Sequence, residues 1–187
     1  MTTWFSQKVL MVVFAVSVSW SPVSADQNDP RLPELFAGLA AARGAAQAER
    51  IESRIWSIWL TPPDGREIAV ALKRGLTAMA SGQPRDALRA FDTVVALAPG
   101  FAEGWNKRAT LRYALGDLDG SAADIDRTLK LEPRHFGALS GLGLVRLAQD
   151  RPAEALAAFE AALAIHPRMS GAQNIDALRD KVRGRPL

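Results

Sequence analysis

The chain contains no cysteine and only two histidines among its 187 residues. The lack of cysteine excludes disulfides, thiolate catalysis, cysteine-ligated zinc sites and a lipid anchor on an N-terminal cysteine. His135 and His166 both lie close to prolines between predicted helices, where we expect solvated turns. The sequence also lacks a nucleophile motif, a glycine-rich phosphate loop and an acidic cluster with metal-loop spacing. We therefore expect a protein that is not an enzyme and that uses no cofactor or metal.

The chain has only a small excess of positive charge. It carries 23 Lys and Arg residues against 20 Asp and Glu, a net charge of +3, and the two signs are interleaved. Proteins that bind nucleic acid normally show a basic stripe or patch, and no such stripe is visible here. We expect no nucleic-acid partner.

Residues 9–20 (VLMVVFAVSVSW) form an uncharged apolar run of 12 residues. This run is too short to span a membrane, which takes about 20 apolar residues. A leader containing Lys8 precedes it, and a Ser-Pro break followed by Val23-Ser24-Ala25 comes after it. This order is typical of a secretory signal that is cleaved after Ala25. The alternative is that the segment is an uncleaved anchor or a buried N-terminal helix. We expect residues 1–25 to be removed, leaving a periplasmic or secreted protein without stable membrane insertion.

Five kinds of position recur with a period of 34 residues in three consecutive segments. Each segment carries a small residue, a Gly or Asp, a second small residue, a bulky apolar residue and a proline: Gly75, Gly82, Ala87, Phe91 and Pro99; Ala109, Gly116, Ser121, Ile125 and Pro133; Gly143, Asp150, Ala155, Phe159 and Pro167. Small residues let two helices of a hairpin approach closely, and the bulky residue is expected to fill the space between hairpins. The proline ends the second helix because it cannot donate a backbone hydrogen bond.

This pattern resembles the tetratricopeptide repeat (TPR), with units at 68–101, 102–135 and 136–169 inside a 67–169 array. The resemblance implies an all-α fold, a right-handed α-solenoid of helical hairpins. Single hairpins cannot bury their apolar stripes alone, so the units must stack.

Helical segments are also predicted on both sides of the array. Residues 26–66 contain a predicted helical pair at 34–43 and 45–60, interpreted as an N-terminal cap or a degenerate fourth unit. We expect this pair to bury a face against unit one, so that Trp56 and Trp59 belong to the core rather than to a ligand site. Residues 170–187 are predicted to form a C-terminal capping helix and a loose tail.

Two arginines stand where the family usually has a bulky apolar residue in the first helix. We hypothesise that Arg74 pairs with Asp92 and Arg108 with Asp126, each 18 residues further along the chain. The alternative is that the arginine stems pack while their charged ends reach water.

In the family that this chain resembles, the first helices of the units line a concave groove. The resemblance implies a partner-binding groove formed by Leu72, Leu76, Met79, Glu103, Asn106, Thr110, Tyr113, Ser140, Leu144 and Leu147. Members that grip a partner's C-terminal carboxylates use Lys and Asn at the positions of Leu72 and Leu76. A peptide with apolar anchors therefore suits this groove better, with Asn106 and Tyr113 bonding its backbone. The chain's own N-terminal helices, or a second copy, could fill the groove instead.

Together these features predict a non-catalytic protein–protein interaction scaffold or adaptor of the cell envelope. Its expected partner is a protein or peptide segment held in the concave groove, and self-association is a second option. The alternative function is an accessory subunit of an envelope enzyme or assembly machinery, for example in cell-wall or cytochrome maturation.

Overall fold

The structure is a computed structural model that describes residues 26–170 and 175–184. These residues form nine α-helices and no strand, which confirms the all-α prediction. The helices are α1 (Leu32–Ala40), α2 (Ala45–Trp59), α3 (Arg66–Ala80), α4 (Pro84–Leu97), α5 (Ala102–Ala114), α6 (Leu118–Leu131), α7 (Phe136–Ala148), α8 (Pro152–Ile165) and α9 (Ile175–Val182). The predicted signal at 1–25 lies outside the described residues, as do 171–174 of the predicted cap and 185–187 of the tail.

Three antiparallel hairpins, α3–α4, α5–α6 and α7–α8, stack in chain order to form an α-solenoid. The turn inside each hairpin contains one residue in the left-handed region, at φ 66° for Gly82, 81° for Gly116 and 57° for Asp150. Glycine adopts this region without cost, whereas a residue with a Cβ is strained there. The recurring turn residue of the sequence thus reverses the chain between the two helices of each unit.

The small residues of the repeat lie where the two helices of a hairpin touch. Those of the second helices are fully buried: Ala87, Ser121 and Ala155. A Cβ added to Gly75 would lie 2.5 Å from Cε1 of Phe91, and one added to Gly143 would lie 2.5 Å from Cε1 of Phe159. The aromatic ring therefore packs on the glycine of its own hairpin, and does not only fill the space between hairpins as the sequence analysis expected.

Arg108 connects three helices, but the predicted pairing with Asp126 is wrong. Its Nε and Nη2 atoms donate to the two carboxylate oxygens of Asp124 at 2.8 and 2.7 Å, and Nη1 donates to Asp92 at 2.8 Å. Asp126 instead accepts from Lys130 Nζ at 2.6 Å. Residues two apart on a helix point about 200° apart, so only Asp124 can face α5.

The predicted pair of Arg74 with Asp92 is also wrong. Asp92 accepts from Arg108 of the following unit, and Arg74 is exposed on α3. Among residues 26–170 and 175–184, no acidic side chain forms an ion pair with Arg74.

The α1–α2 pair lies at an unexpected place in the fold. Its apolar cluster, which includes the buried Leu32, Ile55 and Trp59, also contains Phe136 of α7. Further apolar contacts come from the end of α8 and the turn after it, and none of the cluster residues belongs to unit one. The pair therefore does not stack on unit one as the sequence analysis expected.

Residues 26–42 run along the three turns that close the units. We call these turns, 98–101, 132–135 and 166–169, the turn edge. Every one of them contacts this segment: Gln27 Nε2 donates to Gly100 O at 2.6 Å, the Arg134 guanidinium lies 4.3 Å from the centre of the Phe36 ring, and Arg168 Nε donates to Ala42 O at 2.7 Å. Residues 26–42 thus connect the first closing turn to the last.

At the opposite end of the chain, α9 packs against α8. Ile175 is buried there, and Nη2 of Arg179 donates to Glu160 Oε1 at 2.8 Å. None of the helices in the described ranges is both long and apolar enough to cross a membrane.

Candidate functional site

A cleft of about 280 Å³ lies along α5 and α7, on the side where α2 approaches the array. Half of the ten predicted groove residues line it: Asn106, Thr110, Tyr113, Ser140 and Leu144. Its lining is mainly apolar or hydroxyl-bearing, and Glu52 is its one carboxylate. The structure thus brings the middle and the last part of the predicted groove together in one concave surface.

The other predicted groove residues lie elsewhere. Leu72 is 4% exposed and belongs to the core of unit one, against which the half-buried Leu76 and Met79 also pack. Glu103 is buried, and Leu147 is exposed on α7 outside the lining of the cleft. The predicted apolar end of the groove in unit one is therefore part of the hydrophobic core, because Leu72, Leu76 and Met79 pack in the cluster that includes residues of α4.

Trp56 of α2 forms the wall at one end of the cleft, a role that the sequence analysis missed. Its Cη2 atom occupies the space next to Gly137, where an added Cβ would lie only 2.7 Å away. Its Nε1 donates to Glu52 Oε1 at 3.1 Å, and its ring meets Phe136 edge-on at 5.6 Å. Because Gly137 also lines the cleft, the N-terminal pair covers this end of it, whereas the alternative expected the chain's own helices to fill the whole groove.

His135 is fully buried, so the expectation of a solvated turn is wrong. Its ring stacks on Trp59 with the two ring centres 4.1 Å apart. Nδ1 accepts a hydrogen bond from the Ala138 N–H at 3.1 Å, which caps the start of α7. Since Nδ1 accepts, the ring proton of neutral His135 is on Nε2, which donates to Glu103 Oε2 at 2.9 Å.

Glu103 is a buried carboxylate with three polar side chains around it. Besides His135, Asn106 Nδ2 donates to Oε2 at 2.9 Å and Lys107 Nζ lies 2.9 Å from Oε1. Burial by itself raises the pKa of Glu103, but the hydrogen bond from His135 and the nearby Lys107 charge outweigh it and hold the pKa below its usual range. Asn106, which was expected to bond a partner's backbone, is thus buried and engaged with Glu103.

His166 makes a similar contact with a glutamate at the last closing turn. It too is buried rather than solvated, and its Nε2 lies 3.1 Å from Oε2 of Glu52 on α2. Its ring meets the Phe136 ring edge-on at 5.2 Å. Both histidines therefore help to hold α2 beside the cleft, one by stacking on Trp59 and one by a hydrogen bond to Glu52.

The charged groups around the cleft lie at its rim. Lys107 Nζ is 5.3 Å from the centre of the Trp56 ring, a cation–π distance, and the Glu52 side chain is partly exposed. No group of three or more His, Asp or Glu side chains suited to a metal ion occurs in the part of the chain that the structure describes. The cleft offers apolar walls and hydroxyl groups, which suit binding of a neutral segment.

Comparison with known proteins identifies the repeat. The family model of the tetratricopeptide repeat matches residues 72–123 and 106–170. A TPR repeat-containing protein of Rhizobium etli is 34% identical over 155 residues, which cover 82% of this chain and 76% of the relative. These matches span the three hairpins and confirm the resemblance seen in the sequence.

Solved structures show the same fold at low identity. MamA aligns with a TM-score of 0.60 and 22% identity, covering 84% of each chain. The first TPR domain of Spaghetti (RPAP3), bound to the HSP90 peptide SRMEEVD, aligns with a TM-score of 0.61 and 19% identity over 64% of this chain and 96% of that one. Together with the family match, these likenesses show that the chain belongs to the tetratricopeptide repeat family.

Proposed function

We propose that this protein is a non-catalytic scaffold of the cell envelope that binds a peptide or protein segment in the cleft along α5 and α7. The observation that supports this best is the cleft itself, which is open, concave and nearly free of charge. Its volume of about 280 Å³ accommodates one or two side chains of a bound segment. The scaffold acts by binding, and any chemistry belongs to its partners.

The walls of the cleft suggest the kind of segment it binds. Trp56 and Leu144 provide apolar contact area, and the hydroxyls of Tyr113 and Ser140 can exchange hydrogen bonds with a partner's backbone. The HSP90 peptide bound by the Spaghetti domain is acidic at its end. We expect a more apolar segment here, because the cleft is lined mainly by apolar and hydroxyl-bearing residues and no Lys or Arg is among its lining residues.

Substitution of one exposed cleft residue tests the binding site. Leu144→Arg places a long charged side chain in the cleft, and Leu97→Arg, at an equally exposed leucine on α4 outside it, is the matched control. Partners are identified by crosslinking in the native envelope, and binding of the purified partner is then measured by calorimetry. We expect Leu144→Arg to weaken binding by about tenfold or more, since that factor corresponds to only about 1.4 kcal/mol. Equal binding by both variants would refute the cleft as the site.

The envelope location is supported by the signal-like order of residues 1–25. Mass spectrometry of the protein from a cell fraction tests it directly. We expect a mature chain that begins at Asp26 and is found in the periplasm or the medium. A full-length chain in the cytosol would overturn this part of the proposal.

A further inference from the structure

The outward face of α3, formed by Val70, Arg74 and Thr77, is the first in a series of three equivalent helix faces. The 34-residue period relates it to two later faces: Gly104, Arg108 and Leu111 of α5, and Ala138, Leu142 and Val145 of α7. We call Val70, Arg74 and Thr77 the α3 outer face.

The equivalent face of α5 is covered by the second helix of the preceding unit. A Cβ added to Gly104 would lie 2.7 Å from Val94 Cγ1 of α4, and Leu111 is buried in the cluster that includes Val94. Between them, Arg108 donates to Asp92 of α4. The face of α7 is covered in the same way, since α6 packs against α7 and both Ala138 and Val145 are fully buried.

No helix covers the α3 outer face in the described chain. Val70 is 58% exposed, and Arg74 and Thr77 are exposed too. The α1–α2 pair, which would cover this face if it continued the array, lies on the turn edge instead. Two shallow grooves, of about 420 and 380 Å³, lie one after the other along the seam between α3 and α4, and Val70 and Arg74 line both of them. A partner helix can seat its side chains in such grooves, as packed helices do.

The charge on this face is positive and lacks the carboxylates that its repeat position has elsewhere. Arg108 pairs with Asp124 of its own unit and with Asp92 of the preceding unit. At the position of Asp124, unit one carries Ala90. In the described part of the chain the helix before α3 is α2, which packs at the turn edge and forms no ion pair with Arg74. The exposed Lys73 also lines one of the grooves. Asp86 there pairs with Arg89, and Glu67 is the one other carboxylate of the grooves, so Lys73 and Arg74 leave a small positive excess that suits an acidic side chain of a partner.

We propose that the α3 outer face is a docking surface for an amphipathic helix of a partner protein, which lies on α3 as α4 lies on α5. The partner helix carries an Asp or Glu opposite Arg74 and aliphatic side chains against Val70 and Thr77. Two copies of this face would bring together the same positive excess, Lys73 and Arg74 against Glu67, which disfavours their pairing. This surface is separate from the cleft and independent of the function proposed for it.

The chain provides its own probe, because α4 already makes this type of contact with α5. A labelled peptide of residues 84–97 (PRDALRAFDTVVAL) contains Val94 and Asp92, which contact Gly104 and Arg108. A hydrocarbon staple on its solvent face keeps it helical, since isolated helices of this length are marginal in water. Binding to the full chain is followed by fluorescence anisotropy.

We expect the stapled peptide to bind the protein, and Arg74→Glu to weaken that binding by about tenfold, because the ion pair becomes a like-charge contact. A peptide with Asp92→Arg should bind the parent protein weakly and regain affinity for Arg74→Glu. Arg50→Glu, at an exposed arginine on α2, and the cleft variant Leu144→Arg should bind the parent peptide normally. Circular dichroism confirms that each variant is folded.

Three results would overturn the proposal. The first is the absence of binding to the parent protein up to about 1 mM peptide, which would make the face a solvated end of the array. The second is equal binding by Arg74→Glu, which would place the peptide elsewhere on the protein. The third is a dimer in sedimentation experiments that Arg74→Glu abolishes, which would assign the face to a second copy of the chain. None of these results bears on the cleft, which Leu144→Arg tests separately.

Discussion

In units one and three, a glycine of the first helix contacts an aromatic ring of the second. This contact can be tested by replacing the glycine and the aromatic residue of unit one with the residues that unit two has at the same positions. Unit two carries Ala109 and Ile125 where unit one carries Gly75 and Phe91. We therefore expect Gly75→Ala to be harmful alone and tolerated together with Phe91→Ile.

Two opposing effects determine the result of Gly75→Ala. Alanine favours the helix over glycine by about 1 kcal/mol. Its Cβ, however, would lie 2.5, 2.8 and 3.0 Å from three ring atoms of Phe91, and that ring is fully buried. Overpacking of a core costs about 1–3 kcal/mol, and three close contacts place this case in the upper part of that range. We expect a net loss of about 1–2 kcal/mol.

The double-mutant cycle then separates packing from helix propensity. Phe91→Ile alone leaves a void and should cost about 1–3 kcal/mol. In the double variant the new Cβ fills part of that void, so we expect a favourable coupling energy of about 1–2 kcal/mol. Urea unfolding followed by circular dichroism gives the free energy of unfolding for all four proteins. Our reasoning is refuted if Gly75→Ala stabilises the protein and the two effects add within about 0.5 kcal/mol.

Three further predictions concern the turn, the ion pairs and the buried carboxylate. Asp150→Gly should raise the free energy of unfolding by about 0.5–1 kcal/mol, since it removes a left-handed residue with a Cβ; an unchanged melting temperature would contradict this. A double-mutant cycle should show a coupling of about 1–3 kcal/mol between Arg108 and Asp124 and none between Arg108 and Asp126. The pKa of Glu103 is lower in the folded protein than in the unfolded chain, where it is about 4.3. The charge of Glu103 therefore stabilises the fold above this unfolded-state pKa, and the contribution is lost as the pH falls from there through the folded-state pKa. Between pH 6 and 3 the melting temperature of Glu103→Gln should therefore fall less than that of the parent; parallel curves would argue against an ionised Glu103.

The hairpins could be predicted from the sequence because their contacts are local and periodic. Pro99 follows the end of α4, Gly82 adopts the left-handed turn, and Ala87 is buried against α3, each as its repeat position requires. The place of α1 and α2 could not be predicted, because their contacts join residues far apart in the sequence, such as Gln27 with Gly100. No periodic signal encodes such contacts.

The candidate site was predicted in part, for a related reason. A repeat position indicates which side of a helix faces the groove, but what covers that side depends on the rest of the fold. Glu103 and Asn106 face the predicted side and are nevertheless buried. One signal was available: His135 occupies the repeat position of Phe101, a buried apolar residue, which favours a buried ring over a solvated one.

The contacts of α1 and α2 with the turn edge also affect how the chain can fold during synthesis. Ribosomes release the chain from its N-terminus, so Trp56 and Trp59 emerge well before Phe136 and His166, against which this region packs. At usual elongation rates this delay lasts several seconds, roughly 5 s or more. During that time the first two helices lack the surface that buries their apolar side chains, and the hairpins that follow are complete before them. We therefore expect the first part of this chain to reach its native contacts last.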